Sequence, residues 1–161
     1  RHPARLSRTD RVVLFLEREG NRRLRPLGTA LFRRRRGRIG PRGREVLLLT
    51  TRGRKTGREH TVLLQGFPDG EDLILAASNS GRPTPPHWLL NLRAMPSATV
   101  ELRGRTFEVR AEELSDTEAD AFWPRVLRIA PSYERYQRAA GRRPALVRLV
   151  TIAAADDAER A

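Results

Sequence analysis

The sequence has no cysteine, a single methionine and a single lysine, Lys55. Without thiols there is no disulfide framework, no thiolate nucleophile and no zinc–thiolate centre. Histidine is nearly as scarce. His2, His60 and His87 lie at no metal-ligand spacing, and neither a Ser-His-Asp order nor a carboxylate pair can be read. Hydrolysis and metal catalysis are left without support. No apolar run reaches the roughly 18–20 residues that cross a bilayer, and no signal-peptide pattern is visible. The expected location is cytoplasmic.

What is present in excess is arginine. The 161 residues suit one domain, and their formal net charge is +13. Fifteen arginines against three acidic residues give residues 1–44 a net charge of +12, while residues 45–161 carry only +1. The basic character therefore belongs to the N-terminal segment. An anionic membrane surface fits such a segment, and a merely solvating role is the plain alternative. Nucleic acid fits less well, because only Phe15 and Phe32 are available for base stacking among those arginines.

Apolar spacing predicts a helix over 9–24 and a second short one after Pro26, followed by the exposed run Arg33–Arg36 and a Gly/Pro/Arg linker to about residue 44. Strands are expected at 45–51, 60–66 and 72–78, with Phe67-Pro68-Asp69-Gly70 as the turn between the last two. A short helix over 86–94 precedes a hairpin of 98–102 with 106–113 around Gly104. Ser115 and Glu118 form a capping box. The helix they start contains Pro124, which should kink or split it. A further helix carries Tyr133 and Tyr136 one turn apart, and 145–152 is a last strand. Hairpin-linked strands with inserted helices indicate an α+β, mainly β chain built on a small antiparallel barrel.

Three segments could carry chemistry. Thr50-Thr51-Arg52-Gly53-Arg54-Lys55-Thr56-Gly57-Arg58 lies between two strands. Its glycines let backbone N–H groups approach an anion, Arg54, Lys55 and Arg58 supply charge, and Thr51 and Thr56 supply hydroxyls. It is not a Walker loop, and a solvated hairpin tip is the plain alternative. Ala76-Ala77-Ser78-Asn79-Ser80-Gly81 ends a strand in small polar residues that leave room for a flat ligand, and an ordinary loop is the plain alternative. The helix start at His87-Trp88-Leu89-Leu90-Asn91 could face an anion. Trp88 and Leu89 fit the core, whereas Asn91 has no packing explanation. Tyr133 and Tyr136 could stack on a ring or donate to a carbonyl, or simply pack half-buried.

Taken together and in order, Leu-Leu-Thr-Thr-Arg-Gly-Arg-Lys-Thr-Gly-Arg (48–58), Ala-Ala-Ser-Asn-Ser-Gly (76–81), His-Trp-Leu-Leu-Asn-Leu-Arg-Ala-Met-Pro (87–96) and Phe-Trp-Pro (122–124) with Pro-Ser-Tyr-Glu-Arg-Tyr (131–136) resemble the deazaflavin (F420)-dependent nitroreductase and quinone reductase family of actinobacteria. The resemblance covers roughly residues 20–152. It implies a six-stranded split β-barrel like that of the FMN-binding oxidases, over 45–152, with 1–44 as a basic helical extension and 153–161 as a tail. It implies an oxidoreductase that passes a hydride from reduced coenzyme F420 to a quinone or nitro compound. Arg54, Lys55, Thr56, Arg58 and His60 would hold the coenzyme's phosphate and acidic tail. Ala76, Ala77, Ser78, Asn79, His87, Trp88, Leu89, Leu90 and Asn91 would embrace its ring, and Tyr133 and Tyr136 would face the acceptor. Ser78 or Tyr133 would hydrogen-bond the acceptor oxygen. Some family members are basic at positions 60 and 79 and aromatic at position 130, so Ala130 implies a wider acceptor pocket. The competing expectations are a flavin (FMN) enzyme on the same barrel, a non-catalytic binding protein for deazaflavin, flavin or lipid, and a nucleic-acid-binding protein. Peripheral attachment to the inner face of the plasma membrane is expected through residues 1–44.

Overall fold

Residues 8, 11, 27, 29–34 and 43–154 are described by the computed structural model. Most of the expected 9–24 helix, the linker preceding residue 43 and the tail from 155 lie outside these residues.

Six strands close into one barrel: β1 (Glu45–Arg52), β2 (Glu59–Asp69), β3 (Asp72–Ala76), β4 (Ser97–Leu102), β5 (Arg105–Glu113) and β6 (Leu146–Ala154). Their order around the barrel is β1-β2-β3-β6-β5-β4, and every neighbouring pair is antiparallel. Side chains alternate inward and outward with period two. Leu47, Leu49, Leu75, Val100, Val109, Val147 and Leu149 fill the interior. Phe67, Ile74, Ala76 and Leu146 point outward into a second core.

Helix α1 (His87–Ala94) contributes Trp88, Leu89 and Leu92 to the interior cluster. Helices α2 (Asp116–Ile129) and α3 (Ser132–Ala140) cover the outer face with Trp123, Val126 and Tyr133. Arg93, in the last turn of α1, grips Glu113 at the end of β5 through two bonds of 2.9 and 2.7 Å. That guanidinium holds the Glu113 carboxyl below its ordinary range.

Three expectations need correction. Phe67 and Pro68 are not in a turn: β2 runs on to Asp69, and Gly70-Glu71 make the hairpin tip between the paired Asp69 and Asp72. Burial decides this, since Phe67 is 0% exposed and anchors the outer core. Strand β3 stops at Ala76 rather than Ser78, and a 3-10 turn follows at Asn79–Gly81. Pro124 does not split its helix; α2 is continuous from Asp116 to Ile129, and the proline lies on its exposed side. There, water can reach the carbonyl that loses its hydrogen bond. The capping box forms as expected, with the Glu118 N–H donating to Ser115 Oγ at 3.2 Å and the Ser115 N–H to Glu118 Oε2 at 3.1 Å.

Residues 29–34 are helical. Phe32 is buried, and Arg33 pairs with Glu101 of β4 at 3.0 Å. Among the described residues no helix is long and apolar enough to cross a membrane.

Candidate functional site

The barrel is not evenly zipped. Strand β2 pairs with β1 along Glu59–Gly66 but with β3 only along Gly66–Asp69. Beyond the Gly66–Leu75 pair the two strands part. Strand β3 stays with β6, and the Ala77 N–H continues that ladder to the Ala145 carbonyl at 2.9 Å. Extended past the split, the β2–β3 register would set Leu63 opposite Ser78. Among the described residues, the edge of β2 that faces away from β1 therefore has no strand partner over 59–65, which leaves main-chain donors and acceptors for something else. Thr61 and Leu63 are exposed there, and Val62 and Leu64 pack against the interior.

The far wall of the split is the strand end at 76–78. Ala76 belongs to the outer core with Tyr133, and Ala77 to the interior core with Trp88 and Leu89. Asn79, Ser80 and Gly81 then take left-handed φ angles of 45°, 52° and 73°. Two of these are non-glycine residues, a strained arrangement that its surroundings must hold. The Asn79 amide donates to the Thr84 carbonyl at 2.9 Å. A Cβ at Gly81 would lie 2.8 Å from the Ala139 Cβ. The loop is thus pressed against α3, the helix that carries the tyrosines.

The cationic turn at 53–58 joins β1 to β2 at the same end of the barrel. It is closed by Gly53 N–H to Arg58 O (2.7 Å) and Gly57 N–H to Gly53 O (2.8 Å). His60 lies against it, since a Cβ on Gly53 would come within 2.8 Å of the His60 Nε2. Asn91 of α1, 3% exposed, fixes the turn from beneath. Its Oδ1 accepts from the Arg54 N–H (3.2 Å) and Arg54 Nη1 (3.1 Å), and its Nδ2 donates to the buried Thr51 Oγ1 at 3.1 Å. Lys55 and Arg58 are exposed and form no ion pair among the described residues. His87, one turn before Asn91, is exposed at the start of α1, whose first turn has no acidic residue.

Tyr133 lies 5.6 Å from Phe67, 6.3 Å from Trp123 and 5.3 Å from Tyr136, each contact edge-to-face. Burial pushes its phenol above the ordinary value, and the charge of Arg44 partly opposes that. Tyr133 is thus a neutral donor at physiological pH. Ala130 is 1% exposed within this cluster.

The structure thus gathers Arg54, Lys55, Thr56, Arg58, His60 and Asn91 into one cluster, and Ser78, Asn79, Tyr133 and Tyr136 around the far wall. It buries Trp88, Leu89 and Asn91 behind the site, leaving Leu90 half-exposed. Sequence reasoning missed the open edge at 59–65, Gln65 and Arg44. The half-buried Arg44 guanidinium donates from Nη1 to Gln65 Oε1 at 2.5 Å, and its buried Nε finds no acceptor. A separate cavity of about 170 Å³, lined by Leu73, Val100, Leu102, Phe107 and Leu149, opens at the opposite mouth of the barrel.

Comparison with known proteins agrees with this fold. The family model for F420H(2)-dependent quinone reductase matches residues 23–151. An F420H(2)-dependent quinone reductase of Mycobacterium tuberculosis is 33% identical over 112 residues, which span 68% of this chain and 75% of that relative. A solved structure described as an F420-H2 dependent reductase (FDR-A) superimposes with a TM-score of 0.60 at 26% identity, covering 70% of this chain and 97% of the other. A second, described as a domain-swapped dimer, shares the fold with a TM-score of 0.61 at 23% identity over 76% and 95% of the two chains. The barrel, its split and the cationic turn stand in a chain that belongs to the F420H(2)-dependent quinone reductase family, a family of oxidoreductases that work with coenzyme F420.

Proposed function

We propose that the split between β2 and β3 seats the deazaflavin ring of coenzyme F420, and that the turn at 53–58 holds its anionic tail. The split is the observation that carries this reading. A flat heteroaromatic ring has edge donors and acceptors that can replace the missing ladder along 59–65, and the small residues Ala76, Ala77 and Ser78 leave it space. Lys55, Arg58, His60 and the Thr56 hydroxyl are solvent-facing and suited to phosphate and carboxylates. Arg54 and Asn91 fix the shape of that turn, and Trp88 and Leu89 back the ring from the core. The residues present therefore fit the coenzyme.

The reduced coenzyme supplies a hydride, and the protein supplies placement and electrostatics. The acceptor is a quinone, stacked on the outer side of the split beside Tyr136. Tyr133, neutral and buried, and Ser78, at the strand end, donate to the acceptor oxygen on which negative charge develops. His87 and the unopposed positive end of α1 add to the field around the ring.

The test is a titration with coenzyme F420, FMN and a DNA duplex, followed by coenzyme oxidation with a soluble naphthoquinone. Coenzyme F420 is expected to bind, and Lys55→Ala to weaken it by about tenfold or more, the value of one charge-assisted hydrogen bond. Binding of FMN alone would keep the fold and replace the coenzyme. Binding of neither would refute the seat.

A further inference from the structure

Among the described residues, Arg44 is the one cation near the aromatic wall with a buried donor that finds no acceptor. It directly precedes β1, and its position next to the Glu45–Gly66 pair puts it beside the point where β2 leaves β3. Gln65 is the first β2 residue past the split, and its side chain lies on the outward face with Phe67, toward α3. Gln65 holds one end of the guanidinium at 2.5 Å. The Nε–H is buried with no acceptor, and no carboxylate answers the charge among the described residues, since the adjacent Glu45 pairs with Arg103 instead. A half-buried guanidinium with an unmade hydrogen bond is costly unless an anion completes it. Other arginines of the barrel and its helices, such as Arg33, Arg93, Arg103, Arg143 and Arg148, have carboxylate partners.

We propose that Arg44, oriented by Gln65, is the cationic group of the acceptor pocket, placed to stabilise the oxyanion of a reduced quinone. The inference rests on the reductase reading given above. The quinone takes up one hydride, two electrons with one proton, and is left as a hydroquinone monoanion. One proton from solvent completes the hydroquinone. The coenzyme, oxidised by two electrons, returns one proton to solvent, so the exchange balances. Arg44 supplies fixed positive charge and a donor where that monoanion forms, beside the neutral Tyr133. Arg44 is a catalytic residue in this scheme, and Gln65 a positioning residue.

The test separates anion recognition from turnover. The probes are 2-hydroxy-1,4-naphthoquinone, an anion at neutral pH, and the uncharged 1,4-naphthoquinone, titrated into the full chain loaded with oxidised coenzyme F420. Arg44→Met is expected to weaken the anionic probe by about tenfold or more, the value of a charged hydrogen bond, and to leave the neutral probe nearly unchanged. Arg44→Lys should restore part of the preference. In turnover, Arg44→Met should lower kcat for 1,4-naphthoquinone by about a hundredfold at unaltered coenzyme affinity. Gln65→Leu, which keeps the charge but frees it, should fall between. Equal loss for both probes, or loss of coenzyme binding, would overturn the assignment, as would wild-type turnover in Arg44→Met. If the native chain prefers the anion through Arg44 yet reduces no quinone, the reductase reading fails while the Arg44 site stands. If Arg44→Met fails to fold, Gln65→Leu and Arg44→Lys carry the test, and an unchanged anion preference in both would overturn it.

Discussion

Asn91 uses both ends of its carboxamide on the turn between β1 and β2. One end accepts from Arg54 twice and the other donates to Thr51. The Thr51 hydroxyl is buried, so removing its donor leaves a polar atom that water cannot reach easily. Asn91→Leu has a similar volume and should lose about 1–3 kcal/mol of stability, the cost of an orphaned buried polar group. It should also weaken coenzyme F420 binding, because the turn at 53–58 loses the contact that sets its shape. Asn91→Asp should retain acceptance from Arg54 and, with the Thr51 hydroxyl turned to donate to the carboxylate, the contact to Thr51 as well, giving the smaller loss in a thermal melt. Equal coenzyme affinity for Asn91→Leu and the native chain would show that the turn is shaped by its own Gly53–Arg58 and Gly57–Gly53 bonds alone. The sequence marked Asn91 as a polar residue that packing did not explain, and that anomaly was its signal. Arg44 gave no such signal, because one arginine among the fifteen of residues 1–44 looks like the others until its partners are seen.

At the scale of elements, the decisive feature is a difference in length between neighbours. Strand β2 has eleven residues and β3 has five, so the barrel has to open where β3 ends. Amides of 59–65 that point away from β1 have no ladder partner among the described residues. In hydrogen exchange they should exchange quickly in the free protein and become protected with coenzyme F420, while β1-facing amides stay slow in both states. Uniform slow exchange over 59–65 in the free protein would mean that another part of the chain covers this edge. Periodicity made the barrel legible: the strand at 45–51, the hairpin of 98–102 with 106–113 and the Ser115 capping box all read correctly. The split was not legible, because it depends on register between strands rather than on any residue type. The Phe67–Pro68 misreading has the same source. Phe-Pro-Asp-Gly has the composition of a turn, but burial of Phe67 against Tyr133 carries the strand three residues further, to Asp69.

For the whole molecule, charge and apolar exposure coincide at one end of the chain. Residues 1–44 carry a net charge of +12. Leu27 and Leu31 are 66% and 46% exposed and sit four residues apart, on one helical face. Phe32 is buried and Arg33 is tied to Glu101, so the chain at 32–33 is docked on the barrel while the two leucines face out. Exposed leucines beside arginines match an anionic lipid surface better than a nucleic acid, which offers no apolar layer. Each arginine near such a surface contributes about 1 kcal/mol, and a quinone acceptor dissolves in the same layer. The protein should therefore float with vesicles containing anionic phospholipid and not with purely zwitterionic ones. Salt should weaken the binding, since the screening length is about 10 Å at 0.1 M. Replacing both Leu27 and Leu31 by serine should reduce vesicle binding without altering coenzyme affinity, because the split and the cationic turn are built from residues 53–91. Binding that ignores the leucines but follows the arginines would identify a purely electrostatic attachment. Equal binding to both kinds of vesicle, or none to either, would leave the arginines a solvating role and detach the acceptor's location from the basic segment.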